Sequence, residues 1–250
     1  MPFILCPYAE QAMIAEINGI HLNYEETGKG RVMLFLHGNG QNMSMFDGAV
    51  KYFKDSYKCV TLDSRGHGKS DWGTEKLTIP LLADDTVRFI EKMDYNDVVV
   101  IGFSDGGNIA LEAAAVSDRI GTVVAVGANL RPDGLTLYAR SMIRLVRALC
   151  IPFGFIRSVR NTRRIFYLMS HQPEITAEKL SAIKARTLVT AGTKDYIRTE
   201  HTREIAEKIP SASLRLFENA DHFLFEKRAE ELLGMIGEFV KGTDMRQDTE

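Results

Sequence analysis

Six short runs of apolar, mostly β-branched residues recur along the chain, and stretches with helical periodicity separate most of them. The runs are Val32–Leu36, Cys59–Leu62, Asp97–Ile101, Thr122–Val126, Thr187–Thr190 and Ser213–Phe217. The helical patterns fall at 78–93, 105–117, 199–208 and 225–240. A strand that is apolar on both faces must be covered on both, and strands alternating with helices achieve this as a parallel sheet between two helical layers. Ahead of these runs, residues 13–17 and 20–26 read as a strand pair turning at Asn18-Gly19, a dipeptide that supplies the positive φ of a tight hairpin. The expectation is an α/β fold with a mostly parallel eight-stranded sheet and helices on both faces.

The alternation breaks once. From Arg131 to Ala185 no strand pattern appears, only helical periodicity punctuated by Pro132, Pro152, Gly154 and Pro173. Residues 1–130 and 186–250 then form one discontinuous core, with 131–185 as a helical insertion. A chain of 250 residues is compatible with a single large α/β core. The polar tail Gly242–Glu250 is expected to fray.

Composition narrows the function classes. Hydrophobic residues make up 45% and charged residues 26%, which excludes a disordered or collagen-like chain. The formal net charge of −2 gives no global basic balance for nucleic acid. Cys6, Cys59 and Cys150 are too few and too scattered for a disulfide framework or a zinc site. The opening MPFILC lacks a basic start and a long apolar stretch, so it does not read as a signal peptide. No apolar run approaches the ~20 residues of a membrane span. The expectation is a soluble cytoplasmic protein with neither a nucleic-acid nor a membrane partner.

The sharpest chemical signal is Gly102-Phe103-Ser104-Asp105-Gly106-Gly107, directly after one strand and directly before a helical run. A nucleophile on so tight a strand-to-helix turn needs small neighbours two residues away, and the turn lifts Ser104 Oγ above the sheet. The N–H of Asp105 then lies at a helix N-terminus, aimed at developing negative charge. His37-Gly38-Asn39-Gly40 follows the strand Val32–Leu36, and the Asn39 N–H is placed to be a second oxyanion donor. Asp221-His222 follows the strand Ser213–Phe217, which puts His222 alone among six histidines at the carboxyl end of a later strand. Asp195, four residues after Thr187–Thr190, is the candidate acid that fixes the base, with Asp133 as its competitor.

Together these segments resemble the α/β-hydrolase superfamily over nearly the whole length. Asp63-Ser64-Arg65-Gly66-His67-Gly68-Lys69-Ser70 is similar to the D-x-R-G-x-G-x-S segment of many members, where it is mainly structural. The resemblance implies Ser104 as nucleophile, Asp195 as acid, His222 as base, Asn39 and Asp105 as oxyanion donors, and 131–185 as a helical cap over the site. Serine at the elbow argues against the haloalkane dehalogenase and epoxide hydrolase branches, which carry aspartate there. Aspartate directly after the nucleophile departs from commoner choices.

Competing signals fail. Gly68-Lys69-Ser70 resembles the end of a phosphate-binding loop, but Asp63 stands where that loop needs glycine. No G-x-G-x-x-G follows the first strand and no H-E-x-x-H occurs, so no cofactor and no metal are expected. Within the insertion, Arg140, Arg144 and Arg147 share one helical face, and Tyr138, Met142, Leu145 and Leu149 share the opposite one. The expected arrangement is a solvated basic face over a buried apolar one; an attraction for an anionic substrate or partner is the sharper alternative. Lying over Ser104, the apolar face would close a finite pocket for a short acyl group, unlike the site of an emulsified-lipid enzyme. The expected activity is hydrolysis of a small carboxylic ester or related acyl compound through a Ser-His-Asp triad. The alternatives are a C–C bond hydrolase, a cofactor-free perhydrolase, and a ligand-binding or sensing protein with vestigial hydrolysis.

Overall fold

The computed structural model describes residues 13–242. The hairpin forms as the sequence predicts: β1 (Met13–Ile17) and β2 (Ile20–Thr27) pair antiparallel through Asn18 and Gly19, both at positive φ. Then follow β3 (Val32–Leu36), α1 (Asp47–Phe53), β4 (Lys58–Leu62), α2 (Ile79–Lys92), β5 (Val98–Phe103), α3 (Asp105–Ala114) and β6 (Ile120–Val126). After the insertion come β7 (Arg186–Gly192), α7 (Thr199–Lys208), β8 (Ala212–Phe217), α8 (Leu224–Lys227) and α9 (Ala229–Val240). The strands form one eight-stranded sheet in the order β1-β2-β4-β3-β5-β6-β7-β8. Pairing is antiparallel for β1–β2 and β2–β4 and parallel from β4 through β8.

Side-chain alternation explains the two layers. In β3, Val32, Leu34 and Leu36 face one core with α2, α3 and α7, while Met33 and Phe35 face the other with α1 and α9. All six residues of β5 are buried, as a central strand requires. Each fully buried Leu, Ile, Val or Phe contributes roughly 1.5–3 kcal/mol before conformational entropy is subtracted. The helix predicted over 225–240 is interrupted at Arg228, which leaves helical geometry and starts α9 anew. The tail from 243 onward and the opening segment with Cys6 lie outside the described residues.

The segment after β4 does structural work. Asp63 is buried and accepts from the N–H groups of Met43 and Lys69 and from Asn23 Nδ2, at 2.8–2.9 Å. A side chain on Gly68 would collide with that carboxylate, which explains the glycine. Arg65, also buried, forks onto Asp85 of α2 at 2.7 and 2.8 Å and reaches Glu75. Such a pair is costly to break, because one partner left alone is a buried, unpaired charge.

Between β6 and β7 the insertion forms α4 (Leu137–Leu149), α5 (Arg157–His171) and α6 (Ala177–Ala182), with no strand. Leu168, Ile175, Leu180 and Ile183 join the main core, so the C-terminal half of the insertion is welded to the sheet layer. The expectation for α4 is overturned. Tyr138, Met142, Leu145 and Leu149 are exposed, and Ile143 is the buried residue of that helix. The contact stripe against α5 runs through Ala139 and Ile143, between the apolar and basic faces. Helix-to-helix docking chose the stripe; side-chain apolarity did not.

Candidate active site

The turn between β5 and α3 carries Ser104 at φ 54° and ψ −119°, a strained conformation for a non-glycine residue. Its neighbours show why the spacing is fixed. A Cβ on Gly102 would strike the Gly106 carbonyl, and one on Gly106 would strike the Leu36 carbonyl of β3. The turn is pinned by the Ser104 N–H to Val126 O (2.8 Å) and by the N–H groups of Gly107 and Asn108 to Ser104 O (2.8 and 3.1 Å).

His222, just beyond β8, and Asp195, just beyond β7, are brought together in the interior. His222 Nδ1 lies 2.8 and 2.9 Å from the two carboxylate oxygens of Asp195. Both side chains are about 1% exposed. Asp195 Oδ1 also accepts from the Ile197 N–H at 2.8 Å, which orients the carboxylate. With Nδ1–H donating to Asp195, Nε2 is left as an acceptor, and it has no partner among the described residues. The ring is sandwiched between Phe103 and Tyr196, with centroids 4.7 and 4.1 Å away. Gly127, at φ 63°, forms the floor: a Cβ there would stand 2.8 Å from His222 Cε1. Asp133, the competing acid, is exposed and lies near Arg131 and His201 instead.

Ser104 and His222 line one cavity of about 150 Å³ with Asn39, Asp105, Tyr196 and the apolar Phe103, Leu135, Met169, Ile197 and Phe223. The insertion therefore supplies Leu135, Met169 and Gln172 to this wall, and none of the α4 side chains expected there. Asp105 begins α3, so its N–H is among those a helix cannot pair internally. The Asn39 N–H donates to no backbone carbonyl among the described residues. The Asn39 side chain is fixed by Nδ2 donating to Ile165 O (3.0 Å) and by Oδ1 against His67 Nε2 (3.1 Å).

Electrostatics separate the residues further. His37 accepts the Ser64 N–H on Nε2 and contacts Gly38 O through Nδ1, and burial, aided by His67, holds it down to about 4. It is a neutral, structural group. The Asp105 carboxyl is pushed up to about 6 by burial, partly offset by the hydrogen bond from Asn108 and by the nearby His222. Its Oδ2 has no partner among the described residues. Burial and then the nearby Asp195 and Asp105 carboxylates push the Tyr196 phenol up, while the Ser104 hydroxyl beside it works the other way. Sequence reasoning missed Tyr196 because its neighbourhood with His222 comes from two loops meeting across β7 and β8. Among the described residues no group of three His, Cys, Asp or Glu could hold a metal.

Comparison with known proteins agrees with the geometry. The model of the alpha/beta hydrolase family matches residues 33–234. The chain is 27% identical over 255 residues to the AB hydrolase superfamily protein YisY of Bacillus subtilis, covering 88% of this chain and 95% of that one. Its fold is similar to an enol-lactonase from Burkholderia xenovorans (TM-score 0.74, 22% identity, 92% and 100% covered). It is similar also to an esterase from Exiguobacterium antarcticum (TM-score 0.78, 20% identity, 92% and 100% covered). A strained serine between strand and helix, an eight-stranded sheet of this order and a match over most of the length lead to one conclusion: the chain belongs to the alpha/beta hydrolase family.

Proposed function

We propose that this hydrolase cleaves a small carboxylic ester or related acyl compound through Ser104, His222 and Asp195. The observation that carries the reading is the buried His222–Asp195 pair, whose unpartnered Nε2 shares a cavity with the strained Ser104. Ser104 Oγ attacks the acyl carbon while His222 Nε2 takes its proton, and Asp195 stabilises the imidazolium so formed. The carbonyl oxygen gains a negative charge that the Asn39 and Asp105 N–H groups receive. His222 returns its proton to the leaving group, and the acyl-enzyme remains on Ser104. A water deprotonated by His222 then attacks the acyl carbon, releasing the acid and restoring the serine. The insertion acts as a cap, closing the acyl side with Leu135 and Met169. A cavity of about 150 Å³ holds the space of about five waters, which suits a short acyl group.

The test combines fluorophosphonate labelling with turnover of short p-nitrophenyl esters. Ser104→Ala should lose labelling and about 10⁴–10⁶ of turnover while keeping the fold. Retention of more than about a tenth of wild-type turnover would remove Ser104 as nucleophile.

A further inference from the structure

Nine of the thirteen large apolar side chains that stand exposed among the described residues fall in 137–156. Four of them form the turn between α4 and α5: Ile151, Phe153, Phe155 and Ile156, at 62, 53, 80 and 42% exposure. Around them the charge is one-sided. Residues 134–173 contain seven arginines and no aspartate or glutamate, although the chain as a whole carries −2. None of the seven forms an ion pair with a carboxylate among the described residues. Glu75, whose carboxylate acts on Arg164, is itself bound to Arg65.

The arginines are also gathered in space. Lys76, Arg144, Arg147, Arg160, Arg163 and Arg164 line a cleft of about 660 Å³ beside the turn, and Ile151 lines it too. Inside it, Arg147 donates to Ser170 Oγ at 2.7 Å, and Lys76 and Arg147 lie over the Tyr167 ring. Burial and the neighbouring Arg160 hold Arg164 below its usual value, as like charges crowded into one crevice should. An apolar aromatic tip backed by uncompensated arginines is the composition of an element that lies in a lipid interface. The distances suit it. Arg144 and Arg147 sit in the last two turns of α4 and Arg157, Arg160 and Arg163 in the first two of α5, within about 10 Å of the tip along each helix. An apolar tip sunk about 5–10 Å into the headgroup boundary brings those guanidinium groups to phosphate depth.

We infer that the α4–α5 hairpin docks on an anionic phospholipid surface, its apolar turn inserted and its arginine cleft taking the headgroup phosphates. A second copy of this chain is a poorer occupant of the patch, because a two-fold contact through this tip sets seven unpaired arginines against seven. The expectation of no membrane partner rested on the lack of a long apolar run, which speaks to spanning and not to surface docking, and the apolar face of α4 is exposed. No helix among the described residues is long and apolar enough to cross a membrane, so the contact is with the surface.

The experiment is cosedimentation of the full chain with vesicles of about 30% phosphatidylserine in phosphatidylcholine, and with pure phosphatidylcholine vesicles, at low and high salt. Binding should need the anionic lipid and weaken with salt. Phe153→Ser/Phe155→Ser should reduce it at least tenfold, while short-ester turnover and thermal unfolding stay at the wild-type level. Arg144→Gln/Arg160→Gln/Arg163→Gln should reduce it by about fivefold for each arginine removed, from about 1 kcal/mol per cation near such a surface. Equal binding to both vesicle types, no binding, or binding indifferent to the tip variant would overturn the inference. So would stoichiometric binding of tripolyphosphate without vesicle binding, which would make the cleft a site for a free anion. A dimer in gel filtration that the tip variant dissociates, with no vesicle binding, would assign the patch to a second copy instead.

Discussion

Asp105 offers a quantitative handle on the interior of the site. Its carboxyl is buried, Oδ1 accepts from Asn108 Nδ2 at 3.1 Å, and Oδ2 has no partner among the described residues. Burial raises it from 3.8 to about 6. Between those two values the folded protein holds a proton that the unfolded chain has lost. Its contribution is therefore fully present below pH ~3.8 and is lost as pH rises through ~6. At 1.36 kcal/mol per unit, the roughly two-unit shift is worth on the order of 3 kcal/mol, an upper figure for a buried group. Asp105→Asn preserves the shape and the oxygen that Asn108 uses, and it cannot ionise. The stability of the variant minus that of wild type should therefore climb by about 2–3 kcal/mol from pH ~4 to pH ~7 and then level off. Other titrating groups cancel in that difference. Urea unfolding of both proteins at four pH values across this window measures it. A difference that stays flat, or that falls with rising pH, would refute the claim that Asp105 is held as a poorly solvated carboxylate.

Asp195→Asn should cost roughly 10⁴ in kcat because the imidazole loses its orienting acceptor, whereas Asp133→Asn should cost little; the reverse ranking in one ester assay would move the acid. Gly127→Ala puts a methyl 2.8 Å from His222 Cε1 at a φ of 63°, so turnover should drop at least tenfold and stability by about 1–3 kcal/mol. Wild-type turnover in that variant would show that the His222 ring has room to retreat. On p-nitrophenyl esters of increasing acyl length, kcat/KM should climb by about 0.8 kcal/mol per buried methylene and then fall once the small cavity is full. A maximum on dodecanoyl or longer esters would contradict the cavity walls described above.

The sheet was legible in the sequence because its signal is local: a strand buried on both faces must be apolar throughout, and Val32–Leu36 and Val98–Phe103 obey this without reference to any partner. The Ser104 turn was legible for the same reason, since Gly102 and Gly106 are demanded by backbone collisions within a few residues and with the adjoining strand. The meeting of His222 with Asp195 rather than Asp133 could be ranked from strand ends, but only the fold decides it. Residues 27 positions apart reach 2.8 Å because β7 and β8 lie side by side, while Asp133 is carried outward with the start of the insertion. Tyr196 and Gly127 escaped notice because nothing in their own segments says that His222 lies against them. For α4 the amphipathic pattern was read correctly and its orientation was not. A helix with an apolar face, a basic face and a narrow seam between them can dock by any of the three, and the choice belongs to what α5 presents. Sequence thus determined the strands of the sheet and the strand-to-helix turn on which Ser104 stands. Tertiary contact decided which side chains close the cavity over Ser104 and which are left facing outward, because burial is a property of neighbours that a helical period does not contain.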